Sequence, residues 1–276
     1  MADYTWYGLG GNAEYLITPT TASDLQSVVQ RCNENNLSMR VLGFGSNLLV
    51  SDKPVTGVVI KLEGDEFNKT QFDGDCLTVG AAAGINKAVL DCVRKGLSGL
   101  EALTGIPGSV GGAIRMNAGG NFGDIGTSVQ SITLMDTNGN IFEKSKPELV
   151  FDYRWTNVTA KFILSAKIML VESDKEQMLR TLKEVWIYKK NSQPLNIRNA
   201  GCVFKNPRGL SAGALIDRTG LKGLQIGGAQ VSEKHANFII AHKGCKSSDV
   251  QRLIEAVRER VKDKFNVELE LELEIW

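Results

Sequence analysis

The sequence predicts an α+β fold assembled from more than one unit, and three observations carry that reading. Short apolar runs and alternating segments, the signature of strands, are interspersed with segments whose apolar residues recur every three or four positions, as in helices. A helical pattern over 175–190, with Met178, Leu179, Leu182, Val185 and Trp186 on one stripe, is followed by Pro194 and reads as a connecting helix at a domain boundary. At 276 residues the chain also exceeds the roughly 100–150 residues of a typical domain.

In chain order, Tyr15-Leu16-Ile17 opens a strand, and Ser23 is expected to cap a helix with Leu25, Val28, Val29 and Cys32 on its apolar stripe. A short strand at 39–42 meets the glycine-rich turn Gly43-Phe44-Gly45-Ser46-Asn47 before Leu48-Leu49-Val50 resumes. Strands at 58–62 and 77–79 precede a helix over 86–95 with Val89, Leu90 and Val93 on one side. The densest glycine region follows, Gly105-Ile106-Pro107-Gly108-Ser109-Val110-Gly111-Gly112-Ala113, then Met116-Asn117-Ala118-Gly119-Gly120. Strands at 131–136, 141–143 and 162–171 alternate with turns such as Asn138-Gly139. Beyond the connecting helix lie a loop at 200–207, a short helix after Ser211, the stretch 227–240, and a helix capped by Ser247 or Ser248. The last ten residues alternate strictly, which predicts a half-buried strand over 267–276 with Glu268, Glu270, Glu272 and Glu274 solvated on one face.

Composition narrows the function. With 32 Lys+Arg against 31 Asp+Glu the net charge is +1, so the electrostatic footprint of nucleic-acid binding is missing. Residues 1–11 have neither a basic n-region nor an apolar h-segment, and no stretch approaches the roughly 20 apolar residues of a membrane span, so a cytoplasmic location is expected. Five scattered cysteines, Cys32, Cys76, Cys92, Cys202 and Cys245, lack CxxC spacing, which predicts reduced thiols and no metal centre.

The chemistry-bearing residues start with glycine. The clusters at 43–47 and 105–113 bring bare backbone and small side chains that suit a diphosphate, although neither fits the GxGxxG pattern of a βαβ nucleotide-binding unit. Cys202 is flanked by Gly201 with Lys205 nearby, which suits an accessible thiol, proton donor or nucleophile, where a lone cysteine is usually a small buried hydrophobe. Only two histidines, His235 and His242, are available as a base, so a Cys–His hydrolase stays open at this point. Arg154 follows an apolar run, where an arginine usually covers surface, and gains a function if it meets a carboxylate.

The strings Gly43-Phe44-Gly45-Ser46-Asn47, Gly105 to Ala113, Tyr153-Arg154, Gly201-Cys202-Val203-Phe204-Lys205-Asn206-Pro207, Gly227-Gly228-Ala229 to Lys234-His235-Ala236-Asn237, and Leu269-Glu270-Leu271-Glu272, in this order, resemble the UDP-N-acetylenolpyruvoylglucosamine reductase (MurB) family from about Thr5 onward. The resemblance implies a two-part FAD-binding region plus a C-terminal α+β substrate domain: residues 1–63 and 64–172 for the flavin, with 267–276 packing back on it, and 173–266 for the UDP-sugar. It implies a monomeric enzyme of peptidoglycan precursor synthesis, and through it of cell-wall growth, shape and division. NADPH would reduce non-covalent FAD, which would reduce UDP-N-acetylglucosamine enolpyruvate to UDP-N-acetylmuramate.

Residue by residue, the resemblance assigns Gly43, Phe44, Gly45, Ser46, Asn47, Leu48, Pro107, Gly108, Ser109, Gly111, Gly112 and Ala113 to the flavin. Arg154 and Glu272 would stabilise the substrate carboxylate, and Cys202 would protonate C2. Lys205, Asn206 and His235 would hold the substrate, His235 at its diphosphate. The family usually has serine at the position of Cys202; a thiol is a stronger acid than an alcohol and keeps the proton while adding sensitivity to oxidation. Gly119-Gly120-Asn121-Phe122-Gly123 replaces a shorter turn, and the absence of a substrate-covering insertion places the chain with the shorter type. Two alternatives stand: an FAD-linked oxidase, although residues 40–63 contain no His or Cys to attach a flavin, and an inactive flavin- or UDP-sugar-binding paralogue.

Overall fold

The computed structural model describes all 276 residues, which form two compact units with separate apolar cores. One unit comprises Tyr15–Phe44 and Thr56–Tyr188. Its centre is a five-stranded antiparallel sheet in the order Ile141–Ser145, Val129–Met135, Phe162–Met169, Cys76–Gly80, Thr70–Asp73. The expected strand over 162–171 breaks at Leu170, after which Val171–Glu172 pairs with Leu97–Ser98. A second sheet orders Ala13–Ile17, Val55–Ile60 and Met39–Val41, the last two parallel. The helix Ile85–Lys95 buries Ile85, Ala88, Val89, Cys92 and Val93 as one stripe, each large apolar side chain contributing about 1.5–3 kcal/mol, and stops at Gly96 in the left-handed region.

The helix Ala22–Glu34 begins at Thr21, not at Ser23. The Thr21 hydroxyl accepts from the Asp24 amide at 3.0 Å while the Asp24 carboxylate accepts from the Thr21 amide at 3.0 Å, a reciprocal capping box. A box at Ser23 would need Gln26, whose side-chain amide donates instead to the Gly139 carbonyl at 2.9 Å.

The other unit comprises Met1–Glu14, Gly45–Val55 and Lys189–Trp276. It holds the antiparallel strands Gln225–Ile226, Ala229–Val231 and Ile239–Ala241, and the helices Ala212–Arg218 and Ser247–Phe265, the latter burying Val250, Leu253, Ile254, Val257 and Val261. Lys246, not Ser247 or Ser248, occupies the cap position of that helix. The Ser247 and Ser248 amides donate to the Asp52 carboxylate at 2.9 and 3.1 Å, and the Ser247 hydroxyl donates to the Val50 carbonyl, so distant partners satisfy this helix end.

The C-terminal segment is less of a strand than its alternation predicts. Only Glu274–Ile275 joins a ladder, parallel to Leu48–Leu49, and Leu271 forms an isolated bridge with Phe204. The segment passes from one partner to the other, so no single ladder spans 267–276. Burial still alternates through Leu269 and Leu273, but Glu272 is half-buried and not solvated as expected. Glu268 pairs with Lys262 at 2.6 Å and Glu270 with Lys205 at 3.6 Å, which relieves the repulsion along that face.

Candidate active site

Two loops far apart in sequence meet in the larger unit. The Ile85 amide donates to the Gly108 carbonyl at 3.0 Å, and the Val110 and Gly111 amides donate to the Ala83 and Ala81 carbonyls at 2.8 Å each, which ties the 105–113 loop along 81–85. Ser109 bridges Gly84 and caps the short helix Val110–Arg115, its buried hydroxyl accepting from the Gly112 amide at 3.2 Å. Gly43 arrives on the other side: a Cβ there would sit 2.8 Å from Ser109 Oγ. Phe44, 42% exposed, lies against Gly84. Pro107 and Gly108 are half-buried on the loop, Gly111 packs on Ala81, Gly112 is exposed, and Ala113 is buried in the core. Asn86, absent from the sequence-derived set, anchors this loop by donating to the Ile106 carbonyl at 3.0 Å and accepting from the Gly105 amide at 2.8 Å. The result is a closely packed backbone surface whose glycines are required by crowding, since a Cβ at Gly43 or Gly111 would come within 3 Å of Ser109 or Ala81.

Arg154 sits in the same unit, at the two-residue turn between Phe151–Asp152 and Trp155–Thr156. Its φ of 52° is left-handed, a conformation that costs a non-glycine residue of order 1–3 kcal/mol and persists where contacts hold it. Here Nη2 donates to the Gly119 carbonyl at 3.0 Å and the guanidinium lies over the Tyr153 ring at 5.2 Å. Gly119 belongs to a hairpin of Gly119–Gly120 with Gly123–Asp124. Its tip is held by Asn121 donating to the Tyr188 hydroxyl at 2.9 Å and by the edge-on contact of Phe122 with the Tyr188 ring.

The remaining candidates converge in the smaller unit. The Glu272 amide donates to the Val203 carbonyl at 2.9 Å and the Lys205 amide to the Glu270 carbonyl at 2.8 Å, so the Cys202-bearing segment lies in register with 270–273. Asn47 donates its side-chain amide to the Glu272 carbonyl at 2.8 Å, and buried Leu48 pairs with Glu274. Gly45 is required by packing: its Cβ would fall 2.0 Å from the Tyr4 carbonyl oxygen, and the Trp6 amide donates to the Gly45 carbonyl. Ser46 lies half-buried beside it. Cys202 is a half-buried thiol outside any disulfide, beside Gly201 in the left-handed region, and exposed Asn206 accepts from the Ala212 amide at 3.0 Å.

His235 is half-buried, its ring edge-on to Phe238, and Nδ1 accepts from the Asn237 amide at 3.2 Å. Burial and then the Lys222 charge hold its pKa below the ordinary histidine value, so the neutral ring carries its proton on Nε2 at neutral pH. Asn237 is the clearest omission from the sequence-derived set, since its burial among backbone partners leaves no mark in the periodicity.

The chain is an FAD-binding oxidoreductase by class: residues 13–145, which carry both glycine clusters, match the family described as FAD binding domain. Residues 193–276 match the family described as UDP-N-acetylenolpyruvoylglucosamine reductase, C-terminal domain. The UDP-N-acetylenolpyruvoylglucosamine reductase of Heliobacterium modesticaldum is 40% identical over 278 aligned positions, spanning 100% of this chain and 88% of the relative; that of Anaplasma marginale is 38% identical, spanning 99% and 90%. The crystal structure of the Thermus caldophilus enzyme superposes with a TM-score of 0.87 at 40% identity, covering 100% of this chain and 96% of the other. The chain belongs to the UDP-N-acetylenolpyruvoylglucosamine reductase family, and neither the oxidase nor the inactive-paralogue alternative is favoured. The residues present fit FAD in kind: Gly43 and Gly112, whose Cβ atoms would stand 2.8 and 3.2 Å from Ser109 Oγ, keep the chain bare of side chains where a phosphate-bearing cofactor approaches backbone.

Proposed function

We propose that residues 1–63 and 64–172 hold FAD, with the Gly43–Leu48 and Pro107–Ala113 residues at its diphosphate and ring, and that 173–266 receives the UDP-sugar. FAD, when bound, would supply the hydride chemistry that links NADPH to C3 of the enolpyruvyl ether. Arg154 stabilises the negative charge that develops on the substrate carboxylate, a preorganised electrostatic role for a guanidinium already fixed on Gly119. Glu272 shares a proton with the same carboxylate. Cys202 delivers its thiol proton to C2, completing the addition of one hydride and one proton across the double bond and leaving a thiolate that solvent reprotonates. His235 donates from Nε2 to the diphosphate, and Lys205 and Asn206 line the substrate's approach.

The observation that carries this reading is the register of Glu272 on Val203, which sets the carboxylate-bearing and thiol-bearing segments side by side. Anaerobic titration of the purified holoenzyme tests it. NADPH is expected to bleach the flavin spectrum and the enolpyruvyl UDP-sugar to restore it rapidly. Bleaching without return assigns a different acceptor, and a colourless protein that takes up no FAD overturns the reading. The same enzyme acts in the cytoplasm, where NADPH and the sugar nucleotide are available, in the service of cell-wall synthesis.

A further inference from the structure

Asn237 is 3% exposed and has no chemical role in the reading above. Its side-chain oxygen accepts from the Phe204 amide at 3.0 Å, and its side-chain nitrogen donates to the Phe204 carbonyl at 2.8 Å. This is the pair of bonds that one residue of an antiparallel strand makes with its partner, supplied here by an amide side chain. The Asn237 main chain continues the contact, its carbonyl accepting from the Val203 amide at 2.8 Å. The opposite edge of the same segment is held by the Glu272 amide on Val203 and the Glu270 carbonyl on Lys205. The amides of Val203, Phe204 and Lys205 are thus all committed, and Cys202 is joined to a clamped segment on one side and to Gly201, at φ 77° with open space around it, on the other.

The fourth bond of Asn237 points the other way. Its main-chain amide donates to Nδ1 of His235 at 3.2 Å, which requires that nitrogen to be unprotonated and so puts the imidazole proton on Nε2. The turn that delivers both residues is itself closed, with Ser232 Oγ accepting from the Lys234 and His235 amides and the Phe238 amide donating to the His235 carbonyl.

We infer that Asn237 is a positioning residue for the reaction, its side chain holding the Cys202 segment in place while its backbone amide orients His235 with Nε2 as donor. The inference rests on the proposed roles of Cys202 and His235. Asn237 acts through them and touches no reacting atom. A side chain misplaced by about 1 Å can lower a rate on the order of 100-fold.

The test uses FAD-loaded holoenzyme and Asn237→Asp. That variant keeps an acceptor for the Phe204 amide but, when ionised, sets a carboxylate against the Phe204 carbonyl. Stopped-flow measurements separate flavin reduction by NADPH from reoxidation by the enolpyruvyl UDP-sugar. Reduction is expected to stay within about twofold, whereas reoxidation falls on the order of 100-fold with a larger solvent deuterium isotope effect. Lowering the pH should restore the rate, because the introduced carboxyl, once protonated, again donates to the Phe204 carbonyl. Wild-type reoxidation rate and isotope effect in the variant overturn the inference while leaving the proposed function intact. A wild-type enzyme that the sugar does not reoxidise overturns the function itself. Nitrogen-15 NMR of histidine-labelled wild-type protein needs no variant: a neutral His235 with its proton on Nε2 is expected, and a proton on Nδ1 overturns the inference.

Discussion

The main-chain amide of Glu272 donates to the carbonyl of Val203 at 2.9 Å, so Glu272 and the residue next to Cys202, nearly seventy positions apart, share one hydrogen bond. Asn47 holds the carbonyl of the same Glu272, which places three separated stretches of chain in a single backbone lattice. Backbone bonds of this kind set where the side chains start, and the chemistry proposed for Cys202 depends on that placement.

For Cys202 itself, serine is expected to keep turnover within about tenfold, since a hydroxyl retains a transferable proton, while alanine should lose about 10²–10⁴ in the reoxidation step. Flavin reduction by NADPH should survive both changes. Ordinary steady-state turnover in Cys202→Ala would remove the thiol from the mechanism.

The contact between Gly43 and Ser109 is testable as a coupling. Gly43→Ala places a methyl 2.8 Å from Ser109 Oγ and should displace the hydroxyl from its bond to the Gly112 amide. Loss of that cap costs about 1 kcal/mol, together with weaker FAD retention. Because Ser109→Ala removes the same hydroxyl, the double variant should lose less than the sum of the two single changes. Strict additivity in Tm and bound FAD would refute the contact.

Asp249 makes the stability of the smaller unit depend on pH. The Gly228 and Lys246 amides, at 3.0 and 3.1 Å, and the Arg252 guanidinium, at 2.6 Å, hold its carboxyl down to about 2, against 3.8 when unfolded. The folded value lies below the unfolded one, so the stabilisation is complete above pH 3.8 and drains away as pH falls through about 2. Asp249→Asn should lower Tm at neutral pH, with the gap to wild type closing as the solution is acidified. A gap independent of pH would show that the carboxylate charge is irrelevant.

His235 leads to a prediction with the same sign. Its folded pKa lies below the ordinary 6.5, through burial first and the Lys222 charge second, so the folded state resists the proton that the unfolded state accepts. Its contribution is therefore present above pH 6.5 and diminishes as pH falls below it. Since the donor is the neutral Nε2–H, His235→Gln should raise the substrate KM less than His235→Ala, with flavin reduction unaffected. Equal KM values for the two variants would deny the side chain a hydrogen-bonding role.

The sequence by itself determined the helix over 86–95, the connecting helix over 175–190, most of the central strands and the two glycine clusters, because each records a local demand, although Leu90, Leu179 and Trp186 of the expected helical stripes stand exposed. One face of a helix or strand must be apolar, and a crowded turn must lack a Cβ, whatever lies opposite. Its motifs also led to the family. Tertiary structure alone decided which group satisfies which. Thr21, not Ser23, caps the first helix while Gln26 bonds to Gly139, and Asp52 takes the first turn of Ser247–Phe265 from almost two hundred residues away. The alternation over 267–276 could not reveal that its backbone would be divided between Phe204 and Leu48, or that Asn237 would serve the Cys202 segment as a strand of one residue. Periodicity follows from which way side chains face, whereas hydrogen bonds join whatever groups packing brings within reach, and that distance is set only when the chain has closed.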